Sequence, residues 1–315
     1  MAQQGIWLMH RVFVDGSTGT TGLDIITRLR ARFDLELITL DASDRRDMNA
    51  RIDAIHAADV SVLCLPDDAA QALVSALGNS DARLLDASSR HRTDPSWAYG
   101  LPELCEGQRA RIASSMRVSN PGCYPTGFLL TVRPLVDAGL IDKKAELTMH
   151  AVSGYSGGGK QMIARYEAAA HNLAARPYAL ALNHKHLPEM RVHAGLDRAP
   201  LFSPMVSNYY KGMITQVPLC ASASQQQVHQ LLHERYSDEP FVHVHPLDDT
   251  TCLDQGALPA DGANDTNRID LFVFGDDAHV LLTARFDNLG KGACGAAMQN
   301  LNLMLGIDEC TGLHR

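Results

Sequence analysis

Ser119-Asn120-Pro121-Gly122-Cys123-Tyr124-Pro125-Thr126 places a cysteine between turn-forming residues and an apolar helical run of Phe128, Leu129, Leu130, Val132, Leu135 and Val136. A thiol at that point lies in the positive field of a helix N-terminus. With a nearby imidazole, that field can lower its pKa from about 8.5 into a reactive range. Free cysteine is only a few per cent thiolate at neutral pH, so the placement decides whether the sulfur is a nucleophile. Cys64 inside VSVLCL and Cys294 inside GACGAA read as buried structural residues. Cys123 does not, because Asn, Pro and Gly build a turn around it. The competing use of such a thiol is a redox switch on a non-catalytic nucleotide-binding sensor.

A second chemical feature lies near the start. Gly16-Ser17-Thr18-Gly19-Thr20-Thr21-Gly22 follows the short apolar strand RVFV and opens a helical stretch. Strand, glycine loop and helix in that order suit a dinucleotide pyrophosphate: glycine lets the backbone approach, and free N–H groups at the helix start face the negative charge. The spacing is G-x-x-G-x-x-G rather than the usual G-x-G-x-x-G. Asp41, after the second strand, suits a ribose 2′-hydroxyl and hence NAD. Ser43, Arg45 and Arg46 follow it and suit a 2′-phosphate, and the reading leans to NADP.

A thiolate and a nicotinamide together imply one reaction type. The sulfur attacks an activated acyl carbon and expels the leaving group, forming a thioester. Hydride transfer then gives a thiohemiacetal, which collapses to an aldehyde. An acyl phosphate suits this chemistry, since phosphate leaves readily.

The elements that must position these groups fall into two patterns. Up to about Val118, apolar strands (Arg11–Val14, Leu35–Leu40, Val60–Leu65, Arg83–Asp86) alternate with helical segments (Leu23–Phe33, Ile52–Ala57, Ala69–Leu77). Strands apolar at nearly every position indicate a parallel sheet covered on both faces. Beyond it come β-like runs at 146–152, 213–219, 241–245, 268–274 and 280–286, with helices at 126–138 and 225–236. These predict a largely antiparallel sheet in an inserted α+β domain. The small apolar segment 292–305 predicts a C-terminal helix returning to the first domain. The expected division is 1–117 with 292–315 for dinucleotide binding, and 118–291 for catalysis and oligomerisation.

Composition narrows the partners. The chain has 315 residues, 45% hydrophobic and 20% charged, with 28 basic and 36 acidic side chains for a net charge of −8. No Lys/Arg run exceeds two residues, so neither nucleic acid nor an anionic membrane is an expected partner. No apolar stretch approaches the ~20 residues of a membrane span, and the first residues lack the pattern of a signal peptide. The seven cysteines form no C-x-x-C, which fits reduced thiols and a cytoplasmic setting. Among the 14 histidines, His184-x-His186 and His243-x-His245 each pair two imidazoles. No carboxylate or cysteine cluster near either pair completes a zinc set, and no metal is expected.

Taken together, the glycine loop, SNPGCYPT (119–126), SGYSGGGK (153–160), HKHLPE (184–189) and the C-terminal KGACGAAMQNLN resemble the N-acetyl-γ-glutamyl-phosphate reductases, in particular their shorter subgroup. The resemblance spans residues 16 to 306, with SNPGCYPT and HKHLPE its specific parts. It implies a Rossmann-type domain plus an α+β domain like that of glyceraldehyde-3-phosphate dehydrogenase, in a homo-oligomer, a dimer or tetramer. The implied reaction is NADPH-dependent reduction of N-acetyl-glutamyl 5-phosphate to its semialdehyde in arginine biosynthesis. An aspartate-semialdehyde dehydrogenase is the nearest alternative. The resemblance makes Cys123 the nucleophile and His186 the proton carrier, with His184 a substrate contact. Ser153, Gly154 and Lys160 are expected to cradle a carboxylate or the leaving phosphate, the glycine-rich backbone offering N–H groups. Arg92 suits a bidentate grip on a substrate carboxylate. Asn288 is the candidate holder of the nicotinamide amide. Two departures bear on substrate recognition: Arg90-His91-Arg92 replaces a common Asp-Phe-Arg ending, and Lys185 stands where Arg is frequent.

Overall fold

A computed structural model describes residues 9–17, 19–169, 173–220 and 223–315. The chain divides into two compact units. The first comprises Met1–Gly100, Ala110–Asn120 and Ala297–Gly312. Its strands are β1 (His10–Asp15), β2 (Leu35–Ile38), β3 (Val60–Leu63), β4 (Leu84–Asp86), β5 (Ala98–Tyr99) and β6 (Arg117–Ser119). They form one sheet in the order β2-β1-β3-β4-β6-β5, parallel at every pairing. All four residues of β3 are buried, as expected for a strand covered on both faces. Helices α1 (Thr20–Arg30), α2 (Met48–Ala57) and α3 (Asp67–Leu77) supply cover. Phe13, Ile55, Leu63, Leu73, Leu84 and Trp97 form one core cluster.

His91 is buried, and its ring stacks on Trp97 at 4.2 Å and 10°. Its Nδ1 lies 2.7 Å from Oδ2 of the fully buried Asp86. The imidazole therefore serves as an aromatic plug that also satisfies a buried carboxylate, which would be costly left alone.

The second unit comprises Leu101–Arg109, Pro121–Ala296 and Leu313–Arg315. Helix α4 (Gln108–Ser114) begins in this unit's first segment and continues into a segment of the first unit. The centre of unit two is α5 (Cys123–Asp137), buried along almost its whole length. Pro134 removes the N–H that Leu130 O would accept in an unbroken helix. The Tyr236 hydroxyl donates to that carbonyl at 2.8 Å instead. The other elements are β7 (Thr148–Ser153), α6 (Gly159–Glu167), β8 (Arg176–Pro177), α7 (Leu187–Ala194), β9 (Leu201–Val206), β10 (Met213–Cys220), α8 (Gln225–Tyr236), β11 (Val242–Val244), β12 (Ile269–Gly275) and β13 (His279–Phe286).

The sheet order is β11-β12-β13-β10-β7-β9-β8. As expected it is largely antiparallel, with β10–β13, β10–β7, β12–β13 and β8–β9 antiparallel and, among the described residues, β11–β12 and β7–β9 parallel. The parallel β7–β9 pair follows from connectivity: α7 crosses over between β7 and β9, returning the chain in the same direction. A π-helical turn, Gly290–Cys294, then leads into α9 (Gly295–Leu305). From Ala297 onward this C-terminal helix belongs to the first unit, where Asn300 Nδ2 donates to Gly100 O at 2.7 Å.

Candidate active site

Cys123 is the first helical residue of α5, with Gly122 as an N-cap that offers no side chain. The sulfur-bearing residue is half-buried. Gly122 N–H donates to Glu189 Oε2 at 3.1 Å, so the carboxylate of HKHLPE anchors the cysteine turn directly. Glycine at 292 leaves room beside the nucleophile: a Cβ there would lie 3.0 Å from Cys123 Cβ.

Two imidazoles and two phenols gather beside this turn. The His184 and His186 rings are 4.7 Å apart, edge to face. The Tyr124 ring lies 5.7 Å from His184 and 5.9 Å from His186. The two histidines approach not along an extended strand but on a turn that makes His186 the N-cap of α7. His186 N–H donates to His184 Nδ1 at 3.1 Å, which fixes that nitrogen as an acceptor. Desolvation, helped by the Lys185 charge, pushes the His184 pKa down to about 4. His184 is therefore a neutral imidazole at pH 7, with its proton on Nε2.

The phenols form a short relay. Tyr178 OH donates to Tyr124 OH at 2.9 Å. Tyr124 is hydrogen-bonded to Ser153, and Ser153 Oγ donates onward to Gly154 O at 3.1 Å. Burial raises both phenol pKa values, and the negative field of the Cys123 sulfur raises them further. Both therefore stay protonated and neutral beside the cysteine. By contrast, desolvation pushes the Cys64 thiol up to about 12, and Cys294 is fully buried. Neither competes as a nucleophile.

The anion cradle expected from SGYSGGGK is not built from its first N–H groups. Gly154 N–H donates to Gly212 O, Tyr155 N–H to Tyr209 O and Ser156 N–H to Tyr210 O, each at 2.9 Å. Glycine is needed at 154 because a Cβ would lie 2.5 Å from Tyr210 O. The exposed part is further along: Gly157 and Gly158, and Lys160 in the first turn of α6. Asn288 is buried and spans this loop, its Oδ1 accepting from Gly212 N–H and its Nδ2 donating to Ser156 Oγ, both at 2.9 Å. One Nδ2 hydrogen remains beyond these two bonds.

Arg92 belongs to the first unit and is buried. Its Nε donates to Asn120 O at 2.9 Å and an Nη to Ala87 O at 3.2 Å. At least two donors of the expected carboxylate fork are thus spent on main chain.

The glycine loop of the first unit separates into two kinds of glycine. Gly16 has φ +83°, and a Cβ there would meet Cys64 O at 2.2 Å; at Gly22 it would meet Gly16 O at 2.4 Å. These two make the turn possible. At Gly19 the nearest atom would be 3.6 Å away, and φ is −72°. Among the described residues there is room for a side chain at 19, and glycine leaves that space to a ligand. Gly19 is also an N-cap without a side-chain cap, and α1 has no acidic residue in its first turn. Thr18 and the side chain of Thr20 lie outside the described residues.

A pocket of ≈ 820 Å³ opens beside the loop. Gly16, Ser17, Asp41, Arg45 and Arg46 are among its lining residues, whereas Ser43 is not. Arg45 Nε donates to Leu40 O at 3.3 Å, and Arg46 is exposed. The tight turn, the unfilled space at Gly19 and two guanidinium groups after β2 fit a dinucleotide with a 2′-phosphate.

Two family models match the chain: the semialdehyde dehydrogenase NAD-binding domain over residues 11–113, and the semialdehyde dehydrogenase dimerisation domain over 123–288. N-acetyl-γ-glutamyl-phosphate reductase 2 of Nostoc sp. is 46% identical, over 96% of this chain and 99% of that protein. The N-acetyl-γ-glutamyl-phosphate reductase of Brucella ovis is 49% identical, over 94% and 99%. Among solved structures, aspartate semialdehyde dehydrogenase II of Vibrio cholerae matches with a TM-score of 0.70 at 14% identity, covering 95% of this chain and 98% of that one. The aspartate semialdehyde dehydrogenase of Candida albicans with NADP matches at 0.63 and 14%, covering 94% and 98%. At such identities the structural likeness speaks to fold alone.

Proposed function

Because the chain belongs to the N-acetyl-γ-glutamyl-phosphate reductase family, we propose that it reduces N-acetyl-glutamyl 5-phosphate to N-acetyl-glutamate 5-semialdehyde with NADPH, releasing phosphate, in arginine biosynthesis. The observation that carries this reading is the half-buried Cys123 at the start of α5, beside two imidazoles and two neutral phenols.

Residues 1–117 and 292–315 bind the dinucleotide in this proposal, and 118–291 carry catalysis and the contacts of a cytosolic homo-oligomer. Gly16, Ser17, Gly19, Thr21 and Gly22 hold the pyrophosphate, and Arg45 and Arg46 the 2′-phosphate. When bound, NADPH supplies a hydride for the acyl carbon.

Cys123 sulfur attacks that carbon, the bond to phosphate oxygen breaks, and a thioester forms. The helix field of α5 stabilises the thiolate. His186 takes the thiol proton and delivers it to the carbonyl oxygen as charge builds there. His184, neutral and with an Nε2 proton to offer, is a donor to the substrate. Lys160, exposed in the first turn of α6, receives the departing phosphate. Glu189 sets the angle of the cysteine turn.

Steady-state kinetics in the reverse direction test the proposal, using N-acetyl-glutamate semialdehyde and phosphate with NADP and NAD in parallel. Turnover with NADP preferred is expected. Turnover only with aspartate semialdehyde would transfer the chain to the other substrate, and cofactor binding without turnover of either would support a sensor.

A further inference from the structure

Near the β11 edge of the second sheet, the fold does what the sequence spacing did not announce. The pairing of His243 with His245 suggested two imidazoles and no further ligand. Instead, the loop after β11 turns back and brings a carboxylate and a thiol to His245. His245 Nδ1 lies 3.1 Å from Asp249 Oδ2 and 3.6 Å from Cys252 Sγ. One donor atom from each of the three residues lies within 4.8 Å of the other two.

These separations can be compared with a zinc tetrahedron. Bonds of about 2.0–2.1 Å to nitrogen and oxygen and about 2.3 Å to sulfur give edges of roughly 3.3 Å for N···O and roughly 3.6 Å for N···S. The N···O separation is close to its value, whereas the sulfur, 3.6 Å from Nδ1 and 4.0 Å from Nε2, lies beside the ring and swings toward the Nδ1 lone pair when an ion binds. The chemistry of the set also suits zinc: one imidazole, one carboxylate and one thiolate, with a fourth position for water.

Surrounding groups are arranged as they are around metal-bound histidine. The other ring nitrogen of His245, Nε2, lies 3.4 Å from Oδ1 of the fully buried Asp270. A carboxylate behind the imidazole fixes its orientation and increases its basicity toward a metal. Asp270 is itself held by Arg268 and Arg285, at 2.8 and 2.7 Å. The His245 ring is clamped by stacking on Phe272 at 4.3 Å. Asp249 Oδ1 accepts from the N–H and hydroxyl of Thr251, which leaves Oδ2 to face His245. The ligands come from the loop after β11 and their support from β12 and β13, so a bound ion would staple the loop to the sheet edge.

We propose that His245, Asp249 and Cys252 form a Zn²⁺ site in the second unit, using none of the residues assigned to the reductase chemistry. The carboxylate is ionised and the thiol gives up its proton on binding, so affinity rises with pH.

Cobalt titration of the metal-stripped full chain tests this, with zinc as competitor. The expected result is about one equivalent of tightly bound Co²⁺ with a thiolate-to-cobalt charge-transfer band, displaced by Zn²⁺. The band persists in Cys123→Ser and disappears in Cys252→Ser, while Asp249→Asn weakens binding at least tenfold. Reductase turnover stays at the wild-type level in Cys252→Ser. Absence of the band in wild-type protein, or its loss in Cys123→Ser with retention in Cys252→Ser, overturns the proposal.

Discussion

Gly19→Val is the substitution on which the cofactor reading is most exposed. A Cβ at 19 would touch nothing closer than Gly16 O at 3.6 Å, and the backbone there is already in a region open to any residue. Valine is a poorer N-cap than glycine, so a stability loss of about 1 kcal/mol is expected, a fall of about 2–4 °C in Tm. Binding should suffer far more. Losing two charge-assisted backbone bonds to the pyrophosphate, at about 1.5–3 kcal/mol each, weakens NADPH by roughly 10²–10⁴-fold. Gly16→Ala should behave differently, because φ of +83° and an overlap of Cβ with Cys64 O at 2.2 Å strain the fold itself. Its backbone strain alone costs about 1–3 kcal/mol. Fluorescence titration of NADPH, with a thermal melt of each variant, separates the two effects. An unchanged Kd in Gly19→Val would refute the placement of the pyrophosphate. A wild-type Tm in Gly16→Ala would refute the account of the turn.

Three further outcomes follow from the same geometry. His186→Asn should lower kcat by roughly 10²–10⁴; a change confined to KM would make His186 a binding residue. Arg46→Ala should weaken NADPH by about 10–100-fold through loss of a charge-assisted contact and leave NADH almost unaffected, as read from KM for each cofactor. For His184, burial depresses the folded pKa to about 4 from 6.5, so the unfolded chain binds the extra proton first. Its contribution to stability is complete above about pH 6.5 and is lost as pH falls toward 4. His184→Asn, which keeps an acceptor for the His186 N–H, should therefore flatten the pH dependence of Tm in that window; an unaltered slope would contradict the assignment.

The sequence made some of this legible and hid the rest for identifiable reasons. The Cys123 turn could be read because Pro, Gly and an apolar helix start are all local signals. Helix α8 matched its expected limits, and its capping box at Ser224 and Gln227 shows why. The start of α2 was missed, although Asp47 caps it by accepting from Asn49 and Ala50 N–H. Strand β9 was missed because Pro204 interrupts its pattern; the strand tolerates it next to the two-residue β8. Glu189 and Tyr178 reach the cysteine turn from 67 and 54 residues away along the chain. No spacing rule connects such pairs before the fold is known. The same holds for Asp249 and Cys252, which a two-residue strand period does not bring to His245.

The central claim is that one sulfur becomes acylated, and it can be observed directly. Incubated with N-acetyl-glutamyl phosphate in the absence of NADPH, the protein should gain one N-acetyl-glutamyl group, located by peptide mass spectrometry on Cys123 and lost from that peptide on addition of NADPH. Acylation of a different cysteine, or turnover by Cys123→Ser at the wild-type rate, would contradict the account.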